Sequence, residues 1–179
     1  MGNSNRNHAM TVRTSLEQAA KSVMGALTPG QSEPDILDTL HNEHEEVQDL
    51  LEKLVDSDTA REQKQLLEKV KRALVPHSKA EESVVYDAVL ALRGKDAQVD
   101  GNEGYVEHTL ASATLKQLDT LPGGTPEFKA TAKVLKELVS HHVDEEERNI
   151  WAQVKENFTD EQREQMNRDF LAAKKNVKV

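Results

Sequence analysis

The sequence predicts an all-α protein whose body is an antiparallel up-down-up-down four-helix bundle, with short extra helices at the N- and C-termini. Three observations predict it. Of 179 residues, 36% are hydrophobic, 31% charged and only 3% aromatic, the mix of polar helix faces wrapped round an aliphatic core. Apolar residues recur at helical spacing along four long stretches, opened by capping residues and closed by Gly or Pro. The connections between the stretches are compact, so consecutive helices are expected to run side by side in opposite directions.

Residues 1–31 read as a polar arm with a short helix, which the Thr14/Glu17 capping box opens and Pro29-Gly30 ends. Residues 32–157 hold the bundle, and 158–179 a last helix that packs on it. Ser32-Glu33-Pro34-Asp35 starts the first long helix, followed by Ile36, Leu40, Val47, Leu51 and Leu54. Thr59 with Glu62 caps the second, which carries Leu66, Val70, Leu74, Val84 and Ala88 to about Leu92 and should kink at Pro76. The polar stretch Gly94 to Gly104 is expected to link to a third helix bearing Val106, Leu110, Ala111, Leu115 and Leu118, which stops at Pro122. Thr125-Pro126 opens a fourth through Phe128, Ala132, Leu135, Leu138, Val139 and Ile150, interrupted only at Phe158. Thr159 and Gln162 then cap a short charged helix with Met166, Phe170 and Leu171.

A formal net charge of −9 repels phosphate backbones and anionic lipid, so neither nucleic acid nor membrane is an expected partner. No run approaches the ~20 apolar residues of a membrane-spanning helix, and the chain reads as a cytoplasmic protein. With no cysteine, a metal would be held by His, Asp and Glu.

Six of the seven histidines fall on the four long helices. His77 with Glu81, and His142 with Glu146, each place an imidazole and a carboxylate one turn apart on one helix face. His41 with Glu45 and His141 with Glu145 share that spacing but lie about 100° round the helix from His44 and His142. The apolar stripes put His44, His77, Glu81, His108, His142 and Glu146 inward, so every helix presents a polar group to the core. A lone histidine on an apolar face is usually a hydrogen-bonded core residue. Two carboxylates and four imidazoles with no Lys or Arg among them would each cost several kcal/mol to bury, and cations answer that cost.

The halves of the chain also repeat. The separations His44 to His77 and His108 to His142 differ by one residue, and each second histidine is followed by Glu four residues on and by an aromatic nine on, Tyr86 and Trp151. Two equivalent half-sites face to face suit a dinuclear centre. Imidazole with bridging carboxylate suits iron best, with manganese and zinc as alternatives.

The order His44, His77-x-x-x-Glu81, His108, His142-x-x-x-Glu146 resembles the hemerythrin-like HHE cation-binding family over about Asp35 to Asn157. The resemblance implies two non-haem irons, oxo- or hydroxo-bridged, with Glu81 and Glu146 as bridging carboxylates and two histidines on each iron. The oxygen-carrying members have a fifth histidine one turn before the third-helix ligand, where this chain has Gly104, with Tyr105 and Glu103 beside it as possible replacements. They also end in His-x-x-x-x-Asp, a spacing that His141 and Glu146 would match, so His141 stays open beside His142. A site short of one imidazole fits redox chemistry better than reversible oxygen carriage. The implied function is to bind or reduce a small oxidant or diatomic gas (dioxygen, peroxide or nitric oxide) in a stress response. The alternative is a non-enzymatic iron- or redox-sensing, iron-handling module.

Overall fold

The computed structural model describes residues 34–179, and the expected arm and its helix lie outside them. Among the described residues every regular element is helical: α1 (Ile36–Asp56), α2 (Ala60–Glu81), a π-helical turn (Glu82–Tyr86), α3 (Asp87–Ala91), α4 (Lys95–Thr120), α5 (Pro126–Arg148), α6 (Ile150–Asn157) and α7 (Asp160–Lys174). The helices start where side chains replace missing backbone partners. Asp35 accepts from the Leu37 amide, Thr59 from Glu62, and Thr125 from Phe128 with Pro126 just inside. Thr159 and Gln162 bond reciprocally.

The four long helices close a ring in which α1 packs on α2, α2 on α4, α4 on α5 and α5 on α1. Two apolar clusters fill it. One gathers Leu51, Leu54, Leu67, Leu118, Phe128 and Leu135; the other gathers Ile36, Leu40, Val85, Tyr86, Trp151 and Phe170. Between Leu40 and Val47 on α1 lies His44, and between Leu74 and Ala80 on α2 lies His77, so a polar layer separates the two clusters.

Several expected boundaries move. Pro76 is buried inside an unbroken α2, and the irregularity falls later, at the π turn. The stretch expected to link at Gly94–Gly104 is the start of α4. Its glycines serve close packing, because a Cβ at Gly101 would lie 2.9 Å from the Leu90 side chain and one at Gly104 2.7 Å from the Tyr86 ring. Val106 and Leu110, two of the apolar residues expected on this helix, are 59% and 48% exposed, and the glycine face turns inward with His108, Ala111, Leu115 and Leu118. The fourth helix breaks at Asn149, before α6. Leu171 is exposed, while Met166, Asn167 and Phe170 seat α7 against α1, α2 and the π turn.

Candidate metal centre

His44, His77, Glu81, His108, His142 and Glu146 are all buried and meet in the polar layer. His41 and His141, one residue or one turn away, are exposed, as the apolar phase of their helices requires. Donor atoms converge in two groups that share a carboxylate: His44, His77 and Glu81, and Glu81, His108 and His142. Glu81 Oε2 lies 3.4 Å from both His77 Nε2 and His108 Nε2. Glu146 Oε2 lies 3.2 Å from His142 Nε2 and 3.8 Å from His44 Nε2. Each carboxylate therefore spans a histidine of one half and a histidine of the other.

Three buried atoms in this layer have no protein partner: His44 Nε2, Glu81 Oε1 and Glu146 Oε1. Unmet acceptors in a dry core are costly. Their location among converging imidazoles is what a pair of cations would satisfy, and the donor set fits iron, manganese or zinc.

A second layer, not foreseen from the sequence, fixes the rings. Nδ1 of His77 donates to Glu43 at 3.0 Å, that of His108 to Glu82 at 3.3 Å, that of His142 to Glu107 at 2.7 Å, and that of His44 to Glu147 at 3.0 Å. A carboxylate only accepts, so each Nδ1 carries the proton and each Nε2 turns inward, the pattern by which ligand histidines are held and made more basic. The pairs also circle the bundle: α1 orients the histidine of α2, the π turn that of α4, α4 that of α5, and α5 that of α1. A signal for this was present, because each outer glutamate is the chain neighbour of an inner residue in Glu43-His44, Glu81-Glu82, Glu107-His108 and Glu146-Glu147.

Tyr86 is the other group that sequence reasoning did not bring to the site. The π turn spaces residues five apart on one line, which brings Tyr86 under Glu81. Its Oη lies 3.3 Å from Glu146 Oε2 and 3.4 Å from Glu81 Oε2, His108 Nε2 and His142 Nε2. Gly104 admits the ring. Beside Gly104 it is thus Tyr86 that enters the cluster, and not Tyr105, whose hydroxyl donates to the Glu82 carbonyl and Asp87, nor Glu103, which is exposed.

Charge in the layer is tightly balanced. Burial alone would lower the His77 and His142 pKa values, but for His77 the Glu81 charge and the Glu43 bond, and for His142 the bonds to Glu107 and Glu146, push them up to about 9 and about 10. Burial would raise Glu81, yet His77 and His108 hold it well below the usual carboxylate range. Burial, with the charges of Glu146 and Glu81, drives the Tyr86 phenol well above its ordinary value. Cation binding would therefore displace protons from imidazole.

Two narrow clefts reach the layer. One, between α4 and the α5–α6 break, runs from Asp100 and Glu103 to Tyr86, His142 and Glu146. The other, between α2 and α4, runs past Leu74, Ser78 and Leu115 to His108.

The profile of the family described as Hemerythrin HHE cation binding domain matches residues 35–154. Over 168 residues the chain is 29% identical to a protein of Nostoc sp. named DNA nickase, a match covering 93% of this chain and 47% of that one. The chain thus spans about half the length of this curated relative. The crystal structure of an HHE cation binding domain-containing protein from Mycobacterium kansasii shares the fold with a TM-score of 0.66, at 22% identity, over 79% of this chain and 86% of that one. On the family match, which takes in the whole polar layer, the chain belongs to the hemerythrin HHE cation-binding domain family.

Proposed function

We propose that this protein is a non-haem di-iron protein of up-down-up-down topology that binds or reduces a small oxidant (dioxygen, peroxide or nitric oxide) in the cytoplasm under oxidative or nitrosative stress. The observation that carries the reading is the set of three unpartnered buried atoms, His44 Nε2, Glu81 Oε1 and Glu146 Oε1, lying where four oriented imidazoles converge. His44 and His77 would hold one iron, His108 and His142 the other, and Glu81 and Glu146 would bridge them. When bound, such a pair supplies electrons and Lewis acidity to a small ligand.

The chain's own residues set what that ligand can be. Glu43, Glu82, Glu107 and Glu147 hold the rings by their Nδ1 protons. Tyr86 keeps its proton on Oη beside both carboxylates, where it can donate to a bound species. The cleft at His142 offers a space of about 10 Å³, the size of one water, which excludes bulky substrates. Loading metal-free protein with ferrous iron should give about two irons per chain, near-ultraviolet and visible absorption on oxidation, and consumption of peroxide or nitric oxide. Protein that cannot be reconstituted with iron ends the reading.

A second reading, an iron- or redox-sensing module, is supported by the link from the site to the last helix. Lys174 on α7 donates to Glu43 at 2.5 Å, and Glu43 holds His77. Metal-dependent hydrogen exchange in α7, without oxidant turnover, would favour it. The Nostoc relative's name brings DNA strand cleavage into view. A net charge of −9 opposes approach to a duplex, and nicking of supercoiled plasmid by metal-loaded protein decides that point.

A further inference from the structure

The face of α4 that begins the helix carries acidic residues at the spacing of a single stripe. Asp100, Glu103 and Glu107 lie within about 60° of one another round the helix, and all three line the cleft whose far wall is Glu145, Glu146, Asn149 and Ile150. Glu103 is exposed, Asp100, Glu107 and Glu145 are half-buried, and Glu146 is buried, so the carboxylates descend in steps from solvent to the polar layer. Glu145 is already engaged, because Arg148 donates to it at 2.7 Å and Asn149 Nδ2 donates to the other oxygen of the same carboxylate at 3.0 Å. At the inner end, Glu146 Oε1 is buried without a partner.

An acidic stripe by itself is an ordinary solvated face. Here it ends on an unpartnered buried carboxylate oxygen, at the level where α5 gives way to α6 at Asn149. Burial, followed by the charges of Asp96 and Glu145, raises the Asp100 carboxyl, so this half-buried acid favours a neutralising partner. Hard divalent cations exchange water for carboxylate oxygen, and acidic clefts with low-dielectric walls focus such ions inward.

We propose that the cleft between α4 and the α5–α6 break is the entry route for the divalent cations of the centre, with Asp100 and Glu103 as transit carboxylates that hand the ion to Glu146. The proposal rests on the metal-binding reading above. A passage the size of one water requires the ion to arrive partly dehydrated, and successive carboxylates replace the water it sheds. Glu107 lies on the path but holds His142, so its first duty is to the ring.

The test is the rate of uptake by the full-length, metal-free chain, followed by stopped-flow absorbance with cobalt(II) and with anaerobic ferrous iron at low ionic strength. Asp100→Asn with Glu103→Gln should load about tenfold more slowly, within the range of electrostatic steering, and reach the same final stoichiometry and spectrum as the natural sequence. The control is Glu127→Gln with Glu137→Gln, an equal change of charge on α5 away from the cleft, which should load at the unaltered rate. Equal rates in all three proteins, or equal slowing in both doubles, overturn the entry route while leaving the centre intact. Failure of the natural sequence to take up either metal overturns the route and the centre together.

Discussion

The two halves of the polar layer descend from one repeated pattern and are not equivalent. Around His44 and His77 the structure is closed by aromatic rings: Trp151 stacks on His44 at 6.2 Å and 14°, and Phe170 of α7 meets His77 edge-on at 5.8 Å. Around His108 and His142 the packing is tighter and more polar. Their Nε2 atoms lie 3.1 Å apart, Tyr86 Oη sits between the carboxylates, and both clefts lead there. Tyr86 and Trp151 stand at matching places in the repeat, yet one enters the ligand cluster and the other covers it from outside. The difference follows from the backbone. A π turn carries Tyr86 inward, whereas a break at Asn149 sets Trp151 over His44. One half is sealed by rings, and the other is open to both clefts.

The largest expected effect removes what the halves share. Glu81 belongs to both donor groups, so Glu81→Ala should empty both positions, and elemental analysis should find less than half of the natural metal content. Retention of a full complement would show that the two halves bind independently. Close behind comes the contrast between neighbours. His142→Ala should lose much of the metal of the open half, because His142 is buried with Nε2 turned inward. His141→Ala, at an exposed ring near the outer oxygen of Glu107, should change content little. Measured together under one loading protocol, the reverse order would move the ligand by one residue and its spacing to Glu146 by one.

How much of this was legible in the sequence depends on which signal was periodic. The six inward residues share the phase of Leu40, Leu74, Ala111 and Val139, so helical spacing pointed to their burial, while the choice between His141 and His142 stayed open until the burial of His142. The ring of outer glutamates was hidden, because each pairs with a histidine on the next helix and no periodicity within one helix carries that. The π turn was invisible for a related reason, as Glu82–Tyr86 has no composition that distinguishes it from α-helix, and its position is fixed by Tyr86 finding room at Gly104. Reading Gly94–Gly104 as a link gave glycine its usual meaning, whereas here two glycines let helices approach closely.

Smaller effects test whether the outer carboxylates serve both halves alike. Glu43→Gln in the sealed half and Glu107→Gln in the open half each turn a charged acceptor into a neutral amide on Nδ1, and each should weaken metal affinity by about 10- to 100-fold. Competition with a calibrated chelator reads this directly. Glu43 also accepts from Lys174, so its loss should loosen α7 as well, visible as faster amide exchange there and absent from Glu107→Gln. Gly104→Ala attacks the open half sterically. A methyl group 2.7 Å from the Tyr86 ring forces the ring or α4 to move, at about 1–3 kcal/mol. Urea denaturation of the metal-free protein should show that loss, and an unchanged midpoint would mean that α4 yields freely.

The smallest effect on stability should be the most informative about the asymmetry. Tyr86→Phe keeps the ring that Gly104 accommodates and removes only Oη, whose proton faces Glu146 Oε2 at 3.3 Å. Loss of one long hydrogen bond to a charged acceptor is worth about 1 kcal/mol, so the folded protein should survive with a slightly lower denaturation midpoint. In the open half the substitution leaves a vacated position beside His108 and His142, where a small anion can sit. Azide titration of the iron-loaded protein should therefore show altered affinity and an altered visible spectrum in Tyr86→Phe. Trp151→Phe, which changes only the ring stacked outside His44, should titrate like the natural sequence. If the tryptophan substitution changes azide binding and the tyrosine substitution does not, small anions enter on the side of His44 and His77, and the assignment of sealed and open halves is reversed.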